Sequence, residues 1–271
     1  MISDHERVLF LETVWDYFRS NGRHDLPWRS SETDGSFDPY KIMVSELMLQ
    51  QTQVPRVISK YEAFLKRFPT AQDIAGAELG DVLREWQGLG YNRRAKFLWQ
   101  AAQKVAGPGG FPNEQAELVK LPGIGPNTAG AVLAYAYNQP VVFIETNVRT
   151  VYIHHFFKDA AGIADKEIIA LVEQTFDREN VREFYWAIMD YGSYLKAAVG
   201  NPNKASKHYA KQSAFQGSRR QIRGQVIREL GKGAKKIGEL SASISDERLR
   251  SVLDDLVSEK LIRAERGLYT L

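Results

Sequence analysis

Two glutamates stand in sequence contexts where a carboxyl group could do chemistry. Glu46 lies in SELMLQQTQV, among apolar residues that favour the protonated carboxyl and suit a general acid. Glu145 lies in IETNVRTV, about twenty residues after the Gly-x-Gly of LPGIGPNTAG. Such a pair could protonate a leaving group and stabilise a developing positive charge. Each also has a structural interpretation, Glu46 as a capping or salt-bridging residue and Glu145 as a partner of Arg149.

The Gly-x-Gly turn predicts a hairpin between two helices. Gly123 and Gly125 can adopt turn conformations that other residues resist, and Pro126 opens an Ala-rich helix with Thr128 in its first turn. Backbone N–H groups at that positive helix end suit one phosphate. An ordinary turn between packed helices is the alternative.

These groups must be positioned by a chain that is predicted to be largely helical. Apolar residues recur at spacings of three and four over most of the sequence. The predicted helices cover 6–21, 40–52, 70–75, 79–87, 91–105, 113–121, 126–137, 146–157, 166–175 and 180–195, and one more starts near Pro55.

The composition changes near residue 198. Residues 200–236 hold ten Lys or Arg against one acid, which indicates either a solvated linker or a strap that contacts phosphates. The candidate phosphate contacts are Lys204, Lys207, Arg219 and Arg220. Helices are then predicted at 221–230, near 237–240 and at 245–259, followed by two short strands around Arg266. This order resembles a winged helix, a module that binds DNA or acts in docking.

Bulk composition narrows the function classes. The 271 residues carry a net charge of +3, which permits an anionic partner without requiring one. The chain has no cysteine, which excludes disulfides, a thiolate nucleophile and a Cys-ligated iron–sulfur cluster. No signal-peptide pattern and no long apolar run is evident. We therefore expect a cytoplasmic, nucleoid-associated protein that does not bind membranes.

Several motifs together carry a resemblance to a known family. They are DLPWRSS, DPYKIMVSELMLQQTQV, EWQGLGYNRRAKFLWQAAQKVA, LPGIGPNTAGAV and FYWAIMDYGSYLK. Over roughly residues 8–196 the chain resembles the MutY-type adenine glycosylases of the helix-hairpin-helix base-excision superfamily. The resemblance implies an all-α fold with two helical subdomains flanking a cleft. The expected division is a glycosylase domain at 1–197, a basic linker at 198–219 and a winged helix at 220–271.

The resemblance also implies roles for individual residues. Glu46 falls on the general acid, and Glu145 on a carboxylate that supports charge at C1′ and is usually Asp, with Thr146 where Gly is usual. Asn127 falls where lyase-type relatives carry a Schiff-base Lys, which implies a monofunctional enzyme that does not nick the strand. The remaining implied site residues are Gln51 and Tyr91, which wedge into the base stack, Trp28 and Arg29 in the base pocket, and Gly123, Gly125, Asn127 and Thr128 on the DNA backbone.

Three departures from the family bear on the substrate. The region after DYGSYLK lacks the cluster cysteines, which implies a basic loop without metal or cofactor. Trp186 replaces a purine-reading Gln, and a winged helix replaces the Nudix-like domain. The expected partner is duplex DNA with adenine opposite 8-oxoguanine or guanine, bound by a monomer. A thymine or uracil glycosylase acting at G mismatches and a non-catalytic lesion sensor stay open as alternatives.

Overall fold

The computed structural model describes residues 2–212 and 214–271 and confirms the largely helical prediction. Short 3-10 turns cover Pro27–Arg29 and Pro202–Ala205. The α-helices are α1 (Asp4–Asn21), α2 (Pro39–Leu49), α3 (Val54–Arg67), α4 (Ala71–Ala75), α5 (Leu79–Glu85), α6 (Arg93–Val105), α7 (Gln115–Leu118), α8 (Pro126–Tyr137), α9 (Thr146–Phe156), α10 (Asp165–Thr175), α11 (Val181–Ala198), α12 (Arg219–Gly231), α13 (Ile237–Ser243) and α14 (Leu249–Ser258). The strands are β1 (Lys235–Lys236), β2 (Arg263–Glu265) and β3 (Leu268–Thr270).

The chain forms two compact units. The first comprises the residues up to 42, 113–119 and 124–211, and the second comprises 43–112, 120–123 and the residues from 212 onward. In the first unit, α11 packs along α9 and α1. The approach of α11 to α9 is close because Gly192 has no side chain: a Cβ there would lie 2.8 Å from the Cβ of Asn147. The start of α9 is thereby held against α11.

The second unit combines α3 to α6 with the C-terminal elements. Helix α12 packs on both α5 and α14, and the strands form an antiparallel sheet in the order β1-β3-β2. The predicted C-terminal helices and the turn at Arg266 are thus present, with Arg266 at a φ of 50°. The winged-helix assignment and the domain boundaries at 197 and 219 stay predictions.

Three helices near the predicted site are shorter than the sequence predicts. Helix α6 begins at Arg93 and not at Tyr91, because Tyr91 adopts a left-handed backbone with a φ of 48°. Helix α2 ends at Leu49 and not at residue 52, because Gln51 adopts a left-handed backbone with a φ of 55°. Helix α7 covers Gln115–Leu118 and not 113–121, since Pro122 disfavours a helical conformation for the residue before it. The early end of α2 and the late start of α6 place left-handed turns at Gln51 and Tyr91, the predicted wedge residues.

Among residues 2–212 and 214–271, no helix combines the length and the apolar character needed to cross a bilayer.

Candidate active site

Glu145 occupies the N-cap position of α9 in the first unit. The segment that leads into it is fixed by Asn127, in the first turn of α8. The Asn127 side chain donates from Nδ2 to the carbonyl of Ile144 at 2.7 Å and accepts from the Ile144 N–H at 3.4 Å. Asn127, predicted as the position that lacks the Schiff-base lysine and as a DNA-backbone contact, therefore also anchors the residue before Glu145.

The predicted hairpin lies between α7 and α8. Gly123 has a φ of +78°, and a Cβ there would lie only 2.6 Å from the Cβ of Phe97, so both conformation and space require glycine. Gly125 is the N-cap of α8, Pro126 follows at the first helical position, and Thr128 lies in the first turn. This end of α8 has the geometry of an anion site. Its contact with a DNA phosphate stays a prediction.

Two basic residues influence the pKa of the Glu145 carboxyl. Burial raises the pKa of the Glu145 carboxyl, and the charges of Arg149 and Lys196 oppose that rise. Burial lowers the pKa of Lys196, and Glu145 opposes that shift. Lys196 Nζ donates to Asn147 Oδ1 at 2.9 Å, which holds the amine at the start of α9. Lys196 thus favours the ionised state of Glu145.

Arg149 is engaged by a different acid. Its Nε and Nη2 donate to the two carboxylate oxygens of Asp165, each at 2.7 Å. The residue considered as a structural partner of Glu145 is therefore occupied in a bidentate pair on α10.

Replacing Lys196 with methionine is expected to move the acidic limb of the rate–pH profile to higher pH. Without the nearby ammonium, the pKa of Glu145 rises further, and the ionised form is lost at a higher pH as the solution is acidified. Single-turnover rates of base excision, the reaction that the resemblance implies, would be measured from pH 5 to 9. Lys166→Met on α10 is the matched control. An unchanged acidic limb would show that Lys196 does not influence Glu145.

The predicted base-pocket residue Arg29 is buried and paired. Its Nη1 and Nη2 donate to the two carboxylate oxygens of Asp190 at 2.8 and 2.9 Å. Arg23 donates to the same carboxylate from its backbone N–H and from Nε. Burial opposes ionisation of Asp190, but the bonds and charges of Arg29 and Arg23 outweigh it and lower the pKa of its carboxyl. Arg29 therefore serves first as a structural link between the loop after α1 and α11.

The structure brings Arg29 and Trp186 together. Arg29 Cζ lies 5.2 Å from the centre of the Trp186 ring, which is also stacked on Tyr135 at 6.3 Å. Phe37 packs against the same indole at 5.8 Å, while Trp28 is buried. Trp186 keeps part of its surface exposed. An aromatic surface of this kind can stack on a planar base.

Replacing Asp190 with asparagine is expected to destabilise the protein by about 3 kcal/mol, because Arg29 would stay buried without its counter-charge. The side chains of Arg29 and Asp190 are 4% and 1% exposed, so solvent offers little compensation. Urea unfolding measures the effect. Asp16→Asn breaks the exposed Asp16–Arg19 pair and should cost less than about 1 kcal/mol. Equal losses for both variants would contradict the prediction.

Glu46 lies on α2, in the second unit. Its side chain is half-buried, and the residues on either side of it in the helix, Met43, Val44, Leu47 and Met48, are fully buried. Ser45, the polar residue directly before Glu46, is buried as well. The apolar neighbours of Glu46 along the helix are therefore buried, while the role of its carboxyl as the general acid stays a prediction.

The predicted wedge residues, Gln51 and Tyr91, share an unusual backbone. Both are left-handed, with φ values of 55° and 48°. The buried guanidinium of Arg94 links the two loops that carry them. It donates to the carbonyls of Leu47, Met48, Gln50, Leu89 and Gly90 and to Thr52 Oγ1, over 2.6 to 3.1 Å.

Comparison with known proteins connects this geometry to a family. Residues 44–177 match the HhH-GPD superfamily of base excision DNA repair proteins, a span that includes Glu46, the hairpin and Glu145. Residues 44–177 of the chain belong to the HhH-GPD superfamily.

The similar HhH-GPD proteins include adenine DNA glycosylases from several organisms. The one from Buchnera aphidicola subsp. Baizongia pistaciae is 35% identical over 69% of this chain and 53% of its own length. The Mycobacterium tuberculosis protein is 38% identical over 67% of this chain and 60% of its own. The human protein is 36% identical over 63% of this chain and 33% of its own. The chain thus spans about half the length of the first relatives it matches.

Solved HhH-GPD structures confirm the fold. A thermostable thymine-DNA glycosylase aligns with a TM-score of 0.59 at 23% identity, covering 70% of this chain and 87% of its own. Endonuclease III in a trapped covalent complex with DNA aligns with a TM-score of 0.58 at 18% identity, covering 72% and 88%.

The segment after α11 does not fit the iron–sulfur cluster of some HhH-GPD proteins, because it contains no cysteine to supply thiolates. Protein contacts hold it instead. Ile163 donates to the carbonyl of Ala205 at 3.0 Å and accepts from Lys207 at 2.8 Å, and Asn203 and Ser206 are buried. The side chains of Lys204 and Lys207 are exposed, as a phosphate contact requires.

The two predicted arginine contacts in α12 differ. Arg219 donates to Asp255 and to Ser251 on α14, which commits its guanidinium to packing between these helices. Arg220 donates to the hydroxyl of Tyr91.

Sequence reasoning missed the residues that act through others: Asp190, Lys196, Arg94 and Gln212. Asp190 and Lys196 are the only two charged residues of the quoted motif FYWAIMDYGSYLK, and this isolation was the available signal. Nothing local marks Arg94 or Gln212.

Proposed function

We propose that the protein is a monofunctional DNA glycosylase that hydrolyses the N-glycosidic bond of adenine opposite 8-oxoguanine or guanine. The observation that carries the proposal is the placement of Glu46 and Glu145 within residues 44–177, the span that matches the HhH-GPD superfamily. The chain that holds this span is 35–38% identical to adenine DNA glycosylases over about two thirds of its length. The substrate is duplex DNA, bound by a monomer without metal or cofactor, in the cytoplasm at the nucleoid.

In this mechanism the adenine is flipped out of the duplex before reaction. Glu46 donates a proton to N7 of the base, which makes adenine a better leaving group as the C1′–N9 bond breaks. Ionised Glu145, supported by Lys196, stabilises the oxocarbenium-like charge at C1′. Water then adds to C1′ and loses a proton, leaving an abasic site and free adenine.

Several features of the first unit support the positioning that this chemistry needs. Asn127 fixes the residue before Glu145, and Gly192 fixes the start of α9. The same α8 turn offers its N–H groups to a phosphate, so one element would locate both the DNA backbone and the acid. The partly exposed Trp186 surface would stack on the flipped base, while Arg29 stays paired with Asp190.

A panel of duplexes tests the proposal. Single-turnover excision would be measured for adenine opposite 8-oxoguanine or guanine, and for thymine, uracil and hypoxanthine in mismatches. Adenine release in the first two duplexes supports the proposal. Release of a pyrimidine from G mismatches would replace it with the alternative glycosylase activity, and tight binding without release from any duplex would favour the sensor.

No strand cleavage is expected without alkali. Asn127 cannot form a Schiff base, so the abasic product should persist. Reaction products would be run on a denaturing gel with and without hot alkali. Cuts in the untreated lane, together with a borohydride-trapped adduct that disappears in Lys196→Met, would overturn the prediction and identify the Lys196 amine as the nucleophile.

A further inference from the structure

A side-chain cluster links the predicted wedge residues to the C-terminal region within the second unit. The Gln212 amide donates to Gln51 Oε1 at 3.3 Å and to the hydroxyl of Tyr91. Arg220 donates to the same hydroxyl, and its Cζ lies 5.0 Å from the centre of the Tyr91 ring. We call Gln51, Tyr91, Gln212 and Arg220 the four-residue cluster.

The C-terminal side of this cluster is firmly attached. Glu259, which follows α14, accepts from both Arg93 on α6 and Arg223 on α12. Burial alone would raise the pKa of the Glu259 carboxyl, but these two arginines lower it to about 2, so the group stays charged. The linkage fixes α12 relative to α6, and therefore fixes Arg220 relative to Tyr91.

The four-residue cluster faces solvent. Gln51 and Gln212 are exposed, and Tyr91 and Arg220 are half-buried. Phe215, which is 54% exposed, lies beside it with its ring centre 5.5 Å from Arg220 Cζ. The surface therefore combines an exposed Phe and a half-buried Tyr with an arginine and two side-chain amides.

The chemistry of this surface fits the minor groove of a distorted duplex. Proteins that bind there read it with Arg and Gln and insert an apolar wedge between base steps. The negative potential of a narrow minor groove attracts arginine. Tyr91 would supply the wedge, and Arg220 and the glutamines would supply hydrogen-bonding groups for base and sugar edges.

We propose that Gln212 and Arg220 join Gln51 and Tyr91 in a single minor-groove probe that contacts the DNA at the lesion site. This inference rests on the proposed function and extends it, because it makes the C-terminal region part of lesion recognition. The same contacts could instead form a strap that holds Tyr91 back until DNA displaces it. The experiment below distinguishes the strap from the probe.

The test compares binding of two DNA duplexes by the full chain. One duplex carries a tetrahydrofuran abasic-site analogue, which cannot be processed, and the other is undamaged. Fluorescence anisotropy would be measured for Arg220→Ala and Gln212→Ala, with Arg228→Ala on the exposed face of α12 and Gln216→Ala as matched controls.

For Arg220→Ala we expect about a tenfold weaker Kd for the abasic-site duplex, since a charged hydrogen bond is lost at the lesion. The undamaged duplex should weaken by about twofold or less, and both controls should bind like the native chain. Equal weakening on both duplexes would reduce Arg220 to a general phosphate contact. Tighter binding of the abasic-site duplex would show that the contacts restrain Tyr91 until DNA displaces them. Unchanged binding would show that the contacts only stabilise the fold. Each of these results overturns the proposal.

The binding test separates this inference from the proposed function. A native chain that excises no base but still shows the Arg220-dependent preference would refute the glycosylase proposal and keep the probe. If the Arg220→Ala variant excises adenine at the native rate and its lesion binding is unchanged, the glycosylase proposal is kept and the probe is refuted.

Discussion

Glu46→Gln is expected to lower the single-turnover rate of adenine release by about 1,000-fold while leaving lesion binding intact. Glutamine keeps the size and polarity of the side chain but cannot donate a proton to N7, and general acid catalysis contributes about 100- to 10,000-fold. The position favours this role because Glu46 is half-buried on a helix whose neighbouring residues Met43, Val44, Leu47 and Met48 are buried. Rapid-quench measurements on adenine opposite 8-oxoguanine would give the rate.

The matched control is Glu62→Gln, an exposed glutamate on α3 in the same unit. It should release adenine at the native rate. Retention of the native rate by Glu46→Gln would falsify the assignment of the general acid. Loss of rate together with loss of binding would show that Glu46 acts in DNA recognition and not in proton transfer.

Arg94→Met is expected to destabilise the protein by more than about 4 kcal/mol. The variant leaves the buried carbonyls of Leu47 and Met48 without this donor, and each unsatisfied buried polar group costs about 1–3 kcal/mol. The carbonyls of Gln50, Leu89 and Gly90 each lose one donor and keep a second, from Thr52 Oγ1 or Trp86 Nε1. Burial lowers the pKa of Arg94 to about 10, so its guanidinium is still charged at neutral pH. Urea unfolding, followed by circular dichroism, measures the loss.

A second readout separates general instability from a local effect. Without Arg94 the loops that hold Gln51 and Tyr91 lose their common anchor, so amide hydrogen exchange should accelerate first at residues 50–52 and 88–91. Arg56→Met on the exposed side of α3 should change neither stability nor exchange. Uniform acceleration over the second unit would argue that Arg94 has no special link to the wedge residues.

The sequence was informative where local physics is strong. The apolar spacing predicted the helices, and Gly123 marked a turn that only glycine can make beside Phe97. Pro126 predicted the start of α8, because proline is favoured at the first position of a helix. Glu46 and Glu145 were identifiable because acids are rare in such apolar stretches and the surrounding motifs are dense.

The sequence was uninformative where distant residues meet. Asp190 pairs with Arg29 across 161 positions, and Gln212 contacts Gln51 across the same separation, so no local spacing could indicate either contact. The ends of α2 and α7 were also misjudged. Glutamine is compatible with a helix, so its residue type does not predict the left-handed turn at Gln51. That turn is held by Arg94, which donates to the carbonyl of the preceding residue, Gln50.

Gly192 has a consequence that reaches the reacting atoms without touching them. A methyl group added there would lie 2.8 Å from both the Cβ and the carbonyl oxygen of Asn147, so α9 would have to retreat. Because Glu145 caps that helix, it would move as well, and a shift of about 1 Å can lower a rate by about 100-fold. A Gly192→Ala change, although chemically conservative, would therefore disturb the packing of α9 and, on the proposed function, would act as a mutator allele.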